Sequence, residues 1–167
     1  MFYQNITHDD MLNGDGLRTV LWVSGCSHHC PGCQNPCTWN PNDGIPFGES
    51  EIIEIMESLN KDYISGITLS GGDPLYVSNR DTILDLVKVI REKYPNKTIW
   101  LYTGYTWEQI EKNKKMFAIA SFCDVLIDGR YEESKRDISL PWRGSSNQRV
   151  IDIKQTIISK EVIHYVI

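Results

Sequence analysis

The chain has 167 residues, enough for one domain with a real core and too few for two. Hydrophobic residues make up 41% and charged residues 23%, an ordinary globular balance, and a net charge of −5 gives no electrostatic basis for holding nucleic acid. No apolar run approaches a membrane span, no signal-peptide pattern opens the chain, and five cysteines suit a reducing interior, so no membrane contact and a cytoplasmic location are expected.

In chain order, Asn13-Gly14-Asp15-Gly16 is a turn signal and Leu17 to Val23 reads as a buried strand. Arg18, near its start, is expected to be solvated or paired with a carboxylate. The strand delivers the chain into Ser-Gly-Cys-Ser-His-His-Cys-Pro-Gly-Cys-Gln-Asn-Pro-Cys at 24–37, a loop by its Gly25, Pro31 and Gly32. Beyond Gly48, Ser50 reads as the cap of a helix presenting Ile52, Ile53, Met56 and Leu59 on one face. Ser65 to Ser70 is a second strand, ending in Gly71-Gly72-Asp73-Pro74. A second helix over 81–94 is stopped by Pro95. Thr98 to Tyr102 is a third strand, followed by Thr103-Gly104-Tyr105, and Thr106 with Gln109 makes a capping box for a third helix. Asp124 to Asp128 is a fourth strand ending at Gly129. After a polar passage over 130–148 comes a last strand, Val150 to Ile153. The tail over 154–167, with Ile157, Ile158, Val162, Ile163 and Val166, fits strand and helix equally well.

Strands alternating with helices predict an α/β fold with a mostly parallel sheet. Ligands of parallel α/β architectures sit beyond the carboxyl ends of the strands. Cys26, Gly71, Thr103 and Asp128 each follow a predicted strand, so four motifs converge on one edge. There are too few βα units for an eightfold barrel, and an open, partial barrel is the expectation.

Cys26, Cys30 and Cys33 have the spacing C-x3-C-x2-C, which lets three thiols point into one volume. Thiolates select zinc, copper(I) or iron–sulfur clusters. Spacing alone leaves three readings open. One is a 4Fe-4S cluster with an open iron. Another is zinc completed by His28 or His29. The last is a cluster closed by Cys37, although its first gap is one residue longer than in bacterial ferredoxins and Thr38 stands where they have proline. As an isolated feature, His28 and His29 read as exposed loop filler, and Gly71-Gly72 as a turn. Cys123, in Ser-Phe-Cys-Asp-Val, reads as a small hydrophobe.

The C-x3-C-x2-C run resembles the signature of radical S-adenosylmethionine enzymes. Together with N-G-D-G-L-R at 13–18, S-G-G-D-P-L at 70–75, Y-T-G-Y at 102–105, I-D-G-R at 127–130 and W-R-G-S-S-N-Q-R at 142–149, it resembles the activating proteins of the anaerobic (class III) ribonucleoside-triphosphate reductase from about residue 3 to about residue 152.

The resemblance implies the open partial (β/α) barrel of the radical SAM type as one domain over 1–167. It implies one 4Fe-4S cluster held by Cys26, Cys30 and Cys33 alone, with S-adenosylmethionine on the open iron. Gly32, Cys33, Gln34, Gly71, Gly72, Asp73, Thr103, Tyr105 and Asp128 become cofactor-binding residues. Asp73 stands where the wider superfamily more often has Glu, so backbone carbonyls share its assignment. Reduction by a flavodoxin-like donor would cleave the cofactor to methionine and a 5′-deoxyadenosyl radical, which takes hydrogen from a glycine of the large reductase subunit. No protein acid or base is needed, and Trp142 with its neighbours is expected to shape the site or to form part of the docking rim. Two other readings are an activase of a pyruvate formate-lyase type enzyme and a ferredoxin-like electron carrier.

Overall fold

The computed structural model describes residues 1–166; residue 167, the last of the tail, lies outside the described residues. Seven strands form one sheet: β1 (Phe2–Asp10), β2 (Arg18–Val23), β3 (Ile45–Pro46), β4 (Gly66–Gly71), β5 (Thr98–Tyr102), β6 (Val125–Asp128) and β7 (Arg149–Asp152). Their spatial order is β3-β1-β2-β4-β5-β6-β7. The centre, β2-β4-β5-β6, is parallel, as expected from strands separated by helices. Both flanks are antiparallel, β1 against β2 and β3, and β7 against β6. The reversal at β7 has a simple cause. A parallel return needs a long crossover, usually a helix, and 129–148 holds only the three-residue 3-10 turn Glu133–Lys135.

The helices are α1 (Glu49–Leu59), α2 (Arg80–Lys93), α3 (Trp107–Glu111), α4 (Lys114–Ser121) and α5 (Ile153–Ser159). Their apolar faces share one core with alternate strand residues such as Leu21, Leu69, Leu101 and Leu126. In α1 the buried stripe is Ile55, Met56 and Leu59 with Ile52 partly covered, the i, i+3, i+4, i+7 set, whereas Ile53 is half exposed. Three of the four expected residues, Ile52, Met56 and Leu59, thus face the core, and Ile55 takes the place expected for Ile53. The expected third helix is two: Gln109 accepts from the Thr106 N–H (2.9 Å) to open α3, and Asn113 Oδ1 accepts from Lys115 and Met116 (3.1 Å each) to start α4. The tail begins as a helix and ends in an extended stretch with a single bridge to β7, Ile151 opposite His164. After α5 a left-handed Lys160 (φ 61°) turns the chain back along β7, where Asp152 N donates to Ile163 O and Tyr165 N to Val150 O, 2.9 Å each.

The other sheet face carries a second cluster of Trp100, Val125, Ile127 and Val150, on which Tyr102, Trp142 and Tyr165 pack. At the foot of this face Arg18 is fully buried and has no carboxylate partner among the described residues. Its guanidinium donates to Thr68 Oγ1 (2.8 Å), Thr98 Oγ1 (2.9 Å) and three backbone carbonyls, and lies 5.1 Å from the Trp100 ring centroid. Burial lowers its pKa to about 10, which still leaves it charged at neutral pH. The expectation of a solvated or ion-paired arginine fails because neutral acceptors from β4 and β5, distant in sequence, satisfy it instead. No helix among the described residues is long and apolar enough to cross a membrane.

Candidate cluster and cofactor site

The loop after β2 is closed at its base by backbone pairing. Gly25 N donates to Thr38 O (2.7 Å) and Cys26 N to Trp39 O (3.0 Å). The loop after β4 is zipped to it, with Gly72 N on Val23 O and Asp73 N on Gly25 O, 2.8 Å each. Buried Asn79 ties both through Nδ2, which donates to Ser24 O (2.8 Å) and Asp73 O (3.0 Å). A side chain has no room here. A Cβ at Gly72 would lie 2.6 Å from Gly25 O and 2.9 Å from Thr38 O, and Gly71 has φ +102°. The glycine pair is thus required by the protein's own packing, independently of any ligand.

Cys26, Cys30 and Cys33 open into one cavity of about 500 Å³ at the carboxyl edge of the parallel strands, within the roughly 300–1,000 Å³ of small-molecule sites. Gln34, Gly71, Gly72 and Thr103 line it too. Burial raises the Cys26 thiol to about 11 and also pushes Cys30 up. Backbone N–H groups oppose that penalty: those of His28 and His29 at Cys26, and that of Tyr131 at Cys30. Cys33 Sγ accepts from Asn35 N (3.4 Å). Amide donors on the sulfurs are what cluster thiolates use to settle their charge.

The residues fit a thiolate-held cluster. Among the described residues no three His, Cys, Asp or Glu side chains are gathered for a single ion. Cys37 is exposed in a 3-10 turn, and Cys123 is buried with its thiol donating to Ile119 O (3.4 Å). Neither imidazole stands ready as a zinc ligand. His29 (φ 46°) stacks on Trp39 at 4.7 Å, and both ring nitrogens of His28 are engaged.

The remaining expected residues surround the cavity without lining it. Asp73 is 1% exposed, and its carboxylate accepts from Leu75 N (2.8 Å), Thr103 Oγ1 (2.9 Å), Gly104 N (3.1 Å) and His28 Nε2 (2.8 Å). It is an anchor for loops, with no oxygen directed at the cavity. Asp128, equally buried, accepts from Trp107 N at the start of α3 (2.8 Å) and from Arg149 (3.0 and 2.5 Å). It lines a second depression, which shares Gly104, Gly129 and Arg130 with the main cavity. Tyr105 packs edge-on against His28, ring centroids 4.6 Å apart. Gly32 (φ +74°) lies against the Glu133 carboxyl group.

Of the two expectations for Trp142, the structure favours shaping the site over projecting from a rim. Trp142 packs on Trp100 (centroids 4.8 Å) and lines the cavity, because its backbone (φ 59°) turns the ring onto the sheet.

His28, Arg130 and Arg143 line the cavity too; Arg143 belongs to the Trp142 stretch expected to shape the site or the docking rim, whereas sequence reasoning gave Arg130 no role and read His28 as loop filler or a zinc ligand. Arg143 Nη1 donates to Gln148 O (2.8 Å), while its Nε is buried without an acceptor among the described residues. Arg130 follows Asp128 by two residues, so the strand-end rule that selected Asp128 reaches it as well. For His28 the only inward signal was its place between cysteines, which suggested a zinc ligand and not a hydrogen-bonded joint.

The family described as a 4Fe-4S single cluster domain matches residues 12–151. Three relatives carry the name anaerobic ribonucleoside-triphosphate reductase-activating protein. That of Enterobacteria phage T4 is 45% identical over 150 residues, covering 90% of this chain and 93% of the relative. That of Escherichia coli (strain K12) is 44% identical over 152 residues, covering 90% and 97%. That of Pasteurella multocida (strain Pm70) is 40% identical over 157 residues, covering 93% and 99%.

Proposed function

The chain belongs to the family of anaerobic ribonucleoside-triphosphate reductase-activating proteins, and from this premise we propose that it is the radical-generating activase of such a reductase. It is an enzyme that installs a glycyl radical on the large reductase subunit. The observation that carries the reading is the convergence of three loop thiols, the glycine edge of β4 and the end of β5 on one cavity. When bound, a 4Fe-4S cluster and S-adenosylmethionine supply the one-electron cleavage that yields methionine and a 5′-deoxyadenosyl radical.

The protein's own part is binding, aim and exclusion of water. Cys26, Cys30 and Cys33 would hold the cluster, and the amide donors on their sulfurs would offset the thiolate charge. Gly71 and Gly72 bring the backbone of β4 beside it for the cofactor's amino group, with Asp73 acting from behind to fix that backbone. Gln34 and Thr103 border the nucleoside portion, with Gly32, Tyr105 and Asp128 supporting the same edge. Trp142, Tyr102 and Trp22 close the cavity's apolar side, so a carbon-centred radical is kept from solvent. The strand arrangement serves as an open partial (β/α) barrel in one domain over 1–167. Its open side admits a protein segment, and specificity follows from how closely a C–H is held to the radical. The electron comes from a flavodoxin-like donor, and the setting is cytoplasmic.

The test is direct. Reduced, reconstituted protein with S-adenosylmethionine and the anaerobic reductase gives a glycyl-radical EPR doublet together with 5′-deoxyadenosine. Replacing the reductase's radical glycine by alanine abolishes the doublet. A doublet obtained only with pyruvate formate-lyase overturns the partner, and a cluster that exchanges electrons without any radical overturns the activase in favour of an electron carrier.

A further inference from the structure

We propose that His28 is a positioning residue that locks the cysteine loop, in one geometry, to the three other loops at the carboxyl edge of the sheet. Its side chain is only 5% exposed although it sits between two cysteines of a surface loop. The Arg130 Nε–H donates to His28 Nδ1 (3.2 Å), which makes Nδ1 the acceptor and places the ring proton on Nε2. That Nε2–H donates to Asp73 Oδ2 (2.8 Å). Asp73 in turn accepts from Thr103 and Gly104 of the loop after β5 and from Leu75 of its own loop. One chain of hydrogen bonds therefore joins the loops after β2, β4, β5 and β6.

Packing over-determines the ring's place. A Cβ at Gly104 would lie 2.3–2.6 Å from the His28 ring, so the absence of a side chain there is what admits the imidazole. Tyr105 closes against it edge-on. Because Cys26 and Cys30 flank His28 by two residues on either side, holding this ring fixes both thiols relative to Gly71 and Gly72. Outer-shell partners of this kind orient the groups that bind the metal.

The inference rests on the proposed cluster site only for where its consequences appear. Three variants test it: His28→Ala, His28→Gln, whose amide nitrogen can still donate to Asp73, and Gly104→Ala, which displaces the ring while removing no functional group. In the metal-free protein, amide hydrogen exchange at Gly104 should quicken in His28→Ala and remain near wild type in His28→Gln. In the reconstituted protein, S-adenosylmethionine affinity by calorimetry should fall roughly 10–100-fold in His28→Ala, the range for outer-shell partners. The change that the cofactor induces in the reduced-cluster EPR spectrum should weaken in parallel. His28→Gln should recover most of both, and Gly104→Ala should reproduce the loss.

Wild-type affinity and exchange in His28→Ala would overturn the proposal, as would equal losses in His28→Ala and His28→Gln. If His28→Ala does not fold, the contrast between His28→Gln and Gly104→Ala decides the matter in the same assays. A wild-type protein that binds no cluster or cofactor would instead overturn the function proposed above, leaving the exchange measurement to judge His28.

Discussion

The thiols of Cys26 and Cys30 sit where burial disfavours the thiolate, so the metal-free loop holds them protonated at neutral pH. Ligation must displace those protons, which couples cluster loading to pH. The compensating amides are already in place at Cys26, Cys30 and Cys33, and no comparable set serves the exposed Cys37. The expected outcome is that changing any one of Cys26, Cys30 or Cys33 to alanine abolishes the cluster. Cys37→Ala and Cys123→Ala should keep about four irons per chain, the content of one cubane cluster. Iron analysis and visible absorption after anaerobic reconstitution check this, and loss of iron from Cys37→Ala alone would mean a fourth protein ligand.

At the scale of elements, the loops after β2 and β4 behave as one piece, paired through Gly72 N–Val23 O, Asp73 N–Gly25 O and the Asn79 amide. Gly72 is a tight point of that piece, since its missing side chain faces two backbone carbonyls instead of open space. Gly72→Val should therefore disturb cluster loading and cofactor binding together. Forcing volume into such a contact costs about 1–3 kcal/mol, so the metal-free protein should also unfold at lower denaturant. A variant with full iron, wild-type stability and only weakened cofactor binding would show that the glycine serves the ligand alone. Elsewhere the elements follow their local codes: the i, i+3, i+4, i+7 stripe of Ile83, Leu86, Val87 and Ile90 makes the buried face of α2.

Across the whole molecule, long-range polar contacts tie late elements to early ones. Arg149 of β7 spans Asp128 of β6 and Glu108 of α3. Its guanidinium holds Glu108 down to about 2 from an ordinary value near 4.5. A carboxylate with a depressed folded pKa adds stability that is complete above its unfolded value and is lost as pH falls toward the folded one. Unfolding free energy should accordingly decline between about pH 4.5 and pH 2, and Glu108→Gln should flatten part of that decline. Glu108 is half exposed, so solvent screening limits the difference to below about 1 kcal/mol. An unchanged slope in Glu108→Gln would remove the pair from the acid response.

What the sequence determined by itself was local or periodic. The cysteine spacing, the glycine pair after β4, the bounds of β5 and the alternation of strands with helices all lie within short windows. The strand-end rule then sufficed to bring Cys26, Gly71 and Thr103 together. What only the tertiary structure decided was pairing at a distance. Arg18 finds acceptors 49, 50 and 80 residues away, and His28 meets Asp73 across 45 residues and Arg130 across 102. β1 was missed because its alternation is loose and its register against β2 shifts at two places. Trp142 turned inward because the apolar ring finds Trp100 and Tyr165 on the sheet. A side chain's polarity states that it needs a partner; only the folded chain brings one within hydrogen-bonding distance, and at this site that difference separates a loop histidine from the joint of four loops.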